Sequence, residues 1–345
     1  MGKLKDKISS KLIISLSIIF IIGLTVALWL NHVLLSSNTR FEESEKFIYI
    51  RKNADVSNWI TTSDAQFIDN HSTFQTVASL KKFSSIKPGR YKIKRGMSNI
   101  AIVNLLRSGA QEPVNLRIDN VHDFEELAGK LGKHLMMDST SFMRAFADDS
   151  TSASYGFDHS TFACMITPDT YDFFWTMSPD EFLARMKKIY DRYWTQEKRE
   201  RAAVIGLTPN QAIILGSIVK AETAKKDEAP KIAGLYLNRL KIGMALQSDP
   251  TAVFGRKTHS QRIYLSDLRN DSPYNTYLHT GLPPGPIDFV EHIYIDAVLH
   301  SEKNNYLYMC AQPGGTGYHN FAVSLEQHNI YRSAYTNWLE KKGIR

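Results

Sequence analysis

The 345-residue chain is 43% apolar and 22% charged, which excludes a wholly disordered protein and leaves room for one large or two ordinary domains with real cores. A net charge of +7 is modest for this length and gathers into no long basic tract, so nucleic acid is not an expected partner. Two cysteines, Cys164 and Cys310, are too few for a disulfide scaffold, and the sequence alone leaves them open as a pair or as buried free thiols.

Residues 12–30, LIISLSIIFIIGLTVALWL, carry no charge. As a helix rising about 1.5 Å per residue they span roughly 28 Å, enough to cross a bilayer core. Lys3, Lys5, Lys7 and Lys11 precede the run and the next basic side chain is Arg40, so the excess of lysine holds residues 1–11 in the cytoplasm and exports the rest. A cleaved signal would have a shorter apolar core ending at a small-x-small site, whereas this one ends in Trp29, Leu30, Asn31 and His32. An uncleaved single-pass anchor is expected.

From Phe47 a short strand and a polar turn are predicted, then the Pro88-Gly89 turn, a strand over 90–94, and a helix capped by Ser98 and ended by Gly109, with Ile102, Leu105 and Leu106 as its apolar stripe. This is a small α+β module without an acid pair. Its Lys87, Arg90, Lys92, Lys94 and Arg95 suit either a glycan or polyanion surface or a plain solvated face. Residues 119–146 are helical in pattern through Phe124, Leu127, Leu131 and Leu135, and the polar stretch 148–160 predicts a boundary or exposed loop. Thr167 to Thr170 predicts a turn, and Ser178, Pro179 and Glu181 form a helix start with a capping box.

The sharpest segment begins at Thr208. Thr208, Pro209 and Gln211 are a second capping box, predicting a helix from Pro209 to about Thr223. Leu215, Ile218 and Val219 fall seven, four and three residues before Glu222, placing that carboxyl on an apolar face. Burial raises a carboxyl pKa, as a general acid requires, although periodicity alone is met equally by a helix-end Glu paired with Lys225, Lys226 or Arg239. A second helix is predicted over 232–240, with Ile232, Leu235, Leu237 and Leu240 as core candidates. Gln247-Ser248-Asp249-Pro250 then forms a polar turn. In 272–287, Gly281, Pro283, Pro284, Gly285 and Pro286 impose a stiff loop, either simple architecture or the wall of a cleft holding Tyr274, Asn275 and Tyr277. A strand, a Gly-rich turn and a closing helix follow, carrying His319, His328 and Asn329. The chain has no HExxH pair, no G-x-S-x-G elbow and no phosphate loop, since Gly314-Gly315-Thr316-Gly317 precedes no Lys-Ser/Thr; no metal or cofactor is expected.

Four segments in this order, ILGSIVKAET (214–223), YLNRLKIGMALQSDPT (236–251), SPYNTYLHTGLPPGPI (272–287) and HNF with EQHN (319–321, 326–329), resemble the endolytic murein transglycosylases of the YceG-like family, also called MltG. GRY at 89–91 and PDTY at 168–171 also fit. The resemblance covers about residues 47 to 340. It implies an α+β protein with a cytoplasmic stub (1–11), a transmembrane helix (12–30), a LysM-like subdomain (40–115), a helical connecting region (116–160) and a transglycosylase domain (161–345) outside the bacterial inner membrane. It also implies catalysis by Glu222 and substrate contacts from Gln247, Asp249, Tyr274, Asn275, Tyr277, His319 and Asn329.

The implied reaction is a lyase cleavage of the N-acetylmuramic acid to N-acetylglucosamine bond in nascent glycan strands. It would leave 1,6-anhydro ends and terminate elongation near peptidoglycan synthases. An inverting muramidase using Asp249 as base, and a non-catalytic peptidoglycan-binding scaffold, are the alternatives. Two positions depart from the family pattern. Lys220 stands where V-E-K-E-T has its first acid, so a positive charge near Glu222 could lower its pKa, and Ala163-Cys164 replace a common Glu-Gly ahead of PDTY.

Overall fold

The computed structural model describes residues 2–51, 54–255 and 266–343. The chain forms two compact units, Met1–Val114 with Asp172–Thr176, and Asn115–Tyr171 with Met177–Arg345.

The smaller unit opens with a helix over Gly2–Leu35. Its segment Lys11–Leu35 has a mean hydropathy of 2.6 and is the one single helix among the described residues long and apolar enough to cross a membrane. Leu12, Phe20 and Leu28 are exposed along it, as a lipid-facing surface requires. The helix runs past the expected end at Leu30 because its last turn has a different environment: Val33 is buried and Leu34 packs against the small unit's core.

That core lies under an antiparallel strand pair, Glu45–Ile50 with Gly89–Lys94, in register Phe47 to Lys92 and Ile48 to Tyr91. Strand alternation puts Ile48, Ile50, Tyr91 and Ile93 inside and leaves Phe47, Arg90 and Lys92 on the other face. There the Arg90 guanidinium sits 3.6 Å over the Phe47 ring and Lys92 pairs with Glu112 at 2.8 Å, while Lys87 donates to the Ser108 carbonyl at 3.2 Å and Arg95 to the Glu42 carbonyl at 2.8 Å, so four of the five basic side chains already have partners. Ser98 caps Asn99–Ser108 and Gly109 ends it at φ 73°, as the sequence predicts. The helix His71–Leu80 was not anticipated. Asn70 caps it, and Phe74, Val77 and Ala78 form a one-sided stripe too short to stand out among polar neighbours.

Two buried asparagines join these pieces. The Asn38 side chain donates to the carbonyl of Asn70 at 2.9 Å, accepts from the Asn70 N–H at 2.7 Å, and donates to Asn99 Oδ1. Asn99 in turn donates to the carbonyl of Val33 at 2.9 Å and to Thr73 Oγ1 at 3.0 Å. Replacing one partner leaves the others buried and unpaired. Asn99→Ala is therefore expected to destabilise the small unit by about 2–4 kcal/mol, checked by chemical denaturation of the full chain followed through Trp59 fluorescence.

In the larger unit the predicted run 119–146 is two helices, Phe124–His134 and Ser139–Phe146, because Asp138 caps the second by accepting the Ser141 N–H. They pack so closely that a Cβ on Gly132 would lie 2.4 Å from the Ser139 nitrogen. Their inner faces meet Phe162, Phe182 and Phe289 in an aromatic cluster with centroids 5.0–6.1 Å apart. The polar stretch 148–160 lies within this unit and contains a short helix, Asp149–Ser154, capped by Asp148. Both capping boxes form, Ser178 with Glu181 and Thr208 with Gln211.

The helix Pro209–Glu222 is the centre of the unit. Every residue from Ala212 to Val219 is buried, so it has no solvent stripe at all and is enclosed by Ala229–Lys241, His292–Leu299 and their neighbours. Beyond it come the five-residue helix Asp249–Val253, which the Gln247–Pro250 turn initiates, and the hairpin Tyr308–Ala311 with His319–Ala322. The closing helix Leu325–Lys341 buries no residue fully.

Candidate active site

Glu222 is the last residue of the buried helix, where the chain emerges from the core into a cavity of about 240 Å³. Tyr236, on the next helix, donates its hydroxyl to Glu222 Oε1 at 3.0 Å, and the buried Ser248 hydroxyl donates to the same oxygen. Oε2 has no hydrogen-bond partner and is not a buried unpaired atom among the described residues, so it is the oxygen open to the cavity. Burial pushes the Glu222 pKa up. The Ser248 and Tyr236 hydroxyls oppose this by favouring the carboxylate, the Asp249 charge adds to it, and His319 opposes it.

Gln247, Asp249, Tyr277 and His319 share the cavity wall with Glu222. Gln247 takes a left-handed φ of 52° and, like Asp249, is exposed, while Ser248 between them turns inward. Asp249 accepts the Tyr277 hydroxyl, and burial, with this bond adding to it, pushes the Tyr277 phenol up. His319 reaches the wall from the hairpin, where it pairs with Ala311.

The other predicted contacts lie elsewhere. Asn275 is wholly buried, donating to the carbonyls of Leu268 and Asn270 and accepting the Tyr277 N–H at 3.0 Å, so it braces the loop that presents Tyr277. Tyr274 packs on Phe254 with centroids 4.5 Å apart, and its hydroxyl lies beside Gly285, where a Cβ would also come within 1.9 Å of the Ser160 carbonyl. Asn329 is on the closing helix and does not line the cavity. Both cysteines are free, Cys164 buried and Cys310 in the cavity wall. Among the described residues no three His, Cys, Asp or Glu side chains group as metal ligands.

The profile of the YceG-like family matches residues 48–333. The chain belongs to the YceG-like family. It is 27% identical over 300 residues to a protein of Bacillus subtilis named endolytic murein transglycosylase, covering 80% of each chain. It is 27% identical over 291 residues to the protein of that name in Streptococcus pneumoniae D39, covering 73% of this chain and about half (51%) of that relative. The crystal structure of a yceG-like protein from Listeria monocytogenes superposes with a TM-score of 0.56 at 25% identity, covering 84% of this chain and 99% of that one.

Against the family pattern, Lys220 has a role of its own. Its ammonium pairs with Asp288 at 3.0 Å and Glu291 at 3.2 Å and donates to the Phe289 carbonyl at 2.7 Å, and His122 adds a contact to Asp288. Being two residues from Glu222, it faces another side of the helix, while burial, Ser248, Tyr236, Asp249 and His319 are the main influences on that carboxyl. Lys220→Ala in this YceG-like protein is expected to lower stability by about 1–3 kcal/mol, because it leaves the mostly buried Asp288 without its cation. The Glu222 titration should stay in place, and NMR titration of the variant alongside thermal melts checks both.

Tyr236 and Ser248 were missed in the sequence. Tyr236 sits among apolar helix residues and looks like core filling; Ser248 looks like one more turn residue between two better candidates. Arg239, considered as an ion-pair partner for Glu222, instead donates to the carbonyls of Leu307 and Leu246, both at 2.6 Å. Nothing in the sequence separates these roles, since each depends on which segment lies opposite.

Proposed function

We propose that this YceG-like chain is an endolytic lytic transglycosylase of peptidoglycan, with Glu222 as its proton-transfer group. The observation that carries the proposal is the state of that carboxyl: burial favours its protonated form, one oxygen is held by two hydroxyls, and the other is open to a polar cavity. Glu222 would protonate the oxygen linking N-acetylmuramic acid to N-acetylglucosamine. The muramic C6 hydroxyl then attacks C1, its proton returns to Glu222, and a 1,6-anhydro end results. One protein acid suffices because the nucleophile belongs to the substrate, whereas most glycosidases need two carboxylates. Gln247, Asp249, Tyr277 and His319 would contact the strand.

The curated relatives' shared name supports the substrate class. The apolar N-terminal helix would anchor the protein in the cell membrane with its lysine-rich stub in the cytoplasm, and the catalytic unit would work outside beside peptidoglycan synthases. The small strand-and-helix unit would serve as a LysM-like glycan contact.

A hydrolytic reading has one specific support: Asp249 is exposed in the same cavity, where it could activate water. Mass spectrometry of strands digested by the full-length protein separates the two. Anhydro ends, about 18 Da lighter than reducing ends for the loss of one water, are expected; mainly reducing ends would overturn the lyase assignment.

A further inference from the structure

Across the cavity from the helix end, His319 is held by an almost fully enclosed carboxylate. Glu228, with its side chain 5% exposed, accepts the His319 backbone N–H at 2.8 Å on Oε1 and contacts ring Nδ1 at 2.8 Å on Oε2. Thr223, next to Glu222, donates its hydroxyl to the same Oε2 at 3.5 Å. A carboxylate only accepts, so Nδ1 carries a proton, and in the neutral ring the lone pair is on Nε2. Among the described residues Nε2 has no hydrogen-bond partner and is not enclosed, and His319 lines the same cavity as Glu222. A backbone contact plus a ring contact to one carboxylate fixes both position and tautomer.

Only one Glu222 oxygen is available to the substrate, yet the transglycosylase reaction has two oxygens to serve. We propose that His319, oriented by Glu228, accepts the proton of the muramic C6 hydroxyl and passes it to Glu222, so that Oε2 can stay with the leaving oxygen. This rests on the transglycosylase reading above. The Glu222 proton goes to the glycosidic oxygen as the C1–O bond breaks, and the bond's electron pair leaves with that oxygen. O6 bonds to C1 and its proton moves to Nε2. The resulting imidazolium, stabilised by Glu228, returns a proton to the Glu222 carboxylate, and both groups regain their starting states with no water consumed.

Among the described residues, several charged and titratable groups surround His319. Glu228 is at the start of the Ala229–Lys241 helix, Tyr236 and Arg239 lie along that helix, Glu222 ends the preceding one, and Asp249 and Tyr277 share the cavity wall. Beside the hairpin, Tyr318 donates to Asp227 with Lys225 over its ring, and Lys231 lies over Phe321. Among the described residues, Glu228 is the group that hydrogen-bonds the imidazole.

The test uses the full-length protein in detergent, with uncrosslinked glycan strands as substrate and anhydro ends as readout. His319→Gln should lower kcat by roughly 10²- to 10⁴-fold, with KM within about threefold. Because the base must be neutral, the wild-type rate should fall at low pH, and that limb should vanish in His319→Gln. Glu228→Gln, which keeps the shape, should lower kcat at least about tenfold and move the limb to lower pH, since the imidazolium loses its counter-charge. It carries the test alone should His319→Gln not fold. Near-wild-type kcat in folded variants, a loss confined to KM, or a low-pH limb that persists in His319→Gln would overturn the proposal. An active Glu222→Gln would instead overturn the transglycosylase reading itself, whereas an inactive Glu222→Gln beside a fully active His319→Gln would remove only the His319 step.

Discussion

Glu222→Gln is expected to lower strand cleavage by roughly 10³-fold or more while making the protein more stable at neutral pH. The amide has the same shape and its oxygen can still accept from Tyr236 and Ser248, so the cavity should keep its form. What disappears is the transferable proton, and a positioned acid contributes typically about 10²- to 10⁴-fold. The stability gain follows from the direction of the Glu222 shift. A folded-state pKa above the unfolded value means that the native protein binds the proton more tightly, so this group's stabilisation is complete below the unfolded pKa and is lost as pH rises through the folded one. Glutamine never ionises and escapes that loss. Thermal melts of both proteins should therefore diverge at pH 8 in favour of the variant and converge near pH 4. A variant equally or less stable at pH 8 would contradict the burial of the carboxyl, and retained cleavage would contradict its role.

Removing the two hydroxyls that hold Oε1 should move the alkaline limb of the rate profile upward. Both stabilise the carboxylate relative to the acid, and a hydrogen bond to a charged group contributes about 1.5–3 kcal/mol, equivalent to about one pKa unit or more. Tyr236→Phe and Ser248→Ala are each expected to raise the pH at which Glu222 ionises by about one unit. Because both bonds end on one oxygen, the double variant should differ from the sum of the two. Activity below the limb should fall as well, by roughly ten- to hundredfold, since the carboxyl loses what fixes its rotamer. Rate profiles together with NMR titration of Glu222 resolve the two effects. A downward displacement of the limb would show that the hydroxyls do not favour the charged form.

The parts of this protein legible in its sequence are those governed by neighbours a few residues away. The boxes at Ser178 and Thr208, the Gly109 stop, and the position of Glu222 at the end of an apolar helix all rest on spacings of three or four residues. The spacing around Glu222 predicts a helix that buries one face, yet every residue from Ala212 to Val219 is buried because five further elements converge on it. Tyr236 and Ser248 stand 14 and 26 residues beyond Glu222, and Glu228 lies 91 before His319. No periodicity links positions so far apart. The asparagine cluster escaped for the same reason, since Asn38 and Asn99 are ordinary loop and cap residues until the chain brings them together.

That cluster also bears on the apolar N-terminal helix. Asn99 can satisfy its amide only when the last turn of the Gly2–Leu35 helix is formed and seated, with Val33 in the core. The last turn of that helix is thus built into the core of the small unit. A helix too long for its bilayer relieves the mismatch by tilting. In a bilayer, tilt of this helix would turn the strand pair, and with it the outward face that carries Phe47, Arg90 and Lys92.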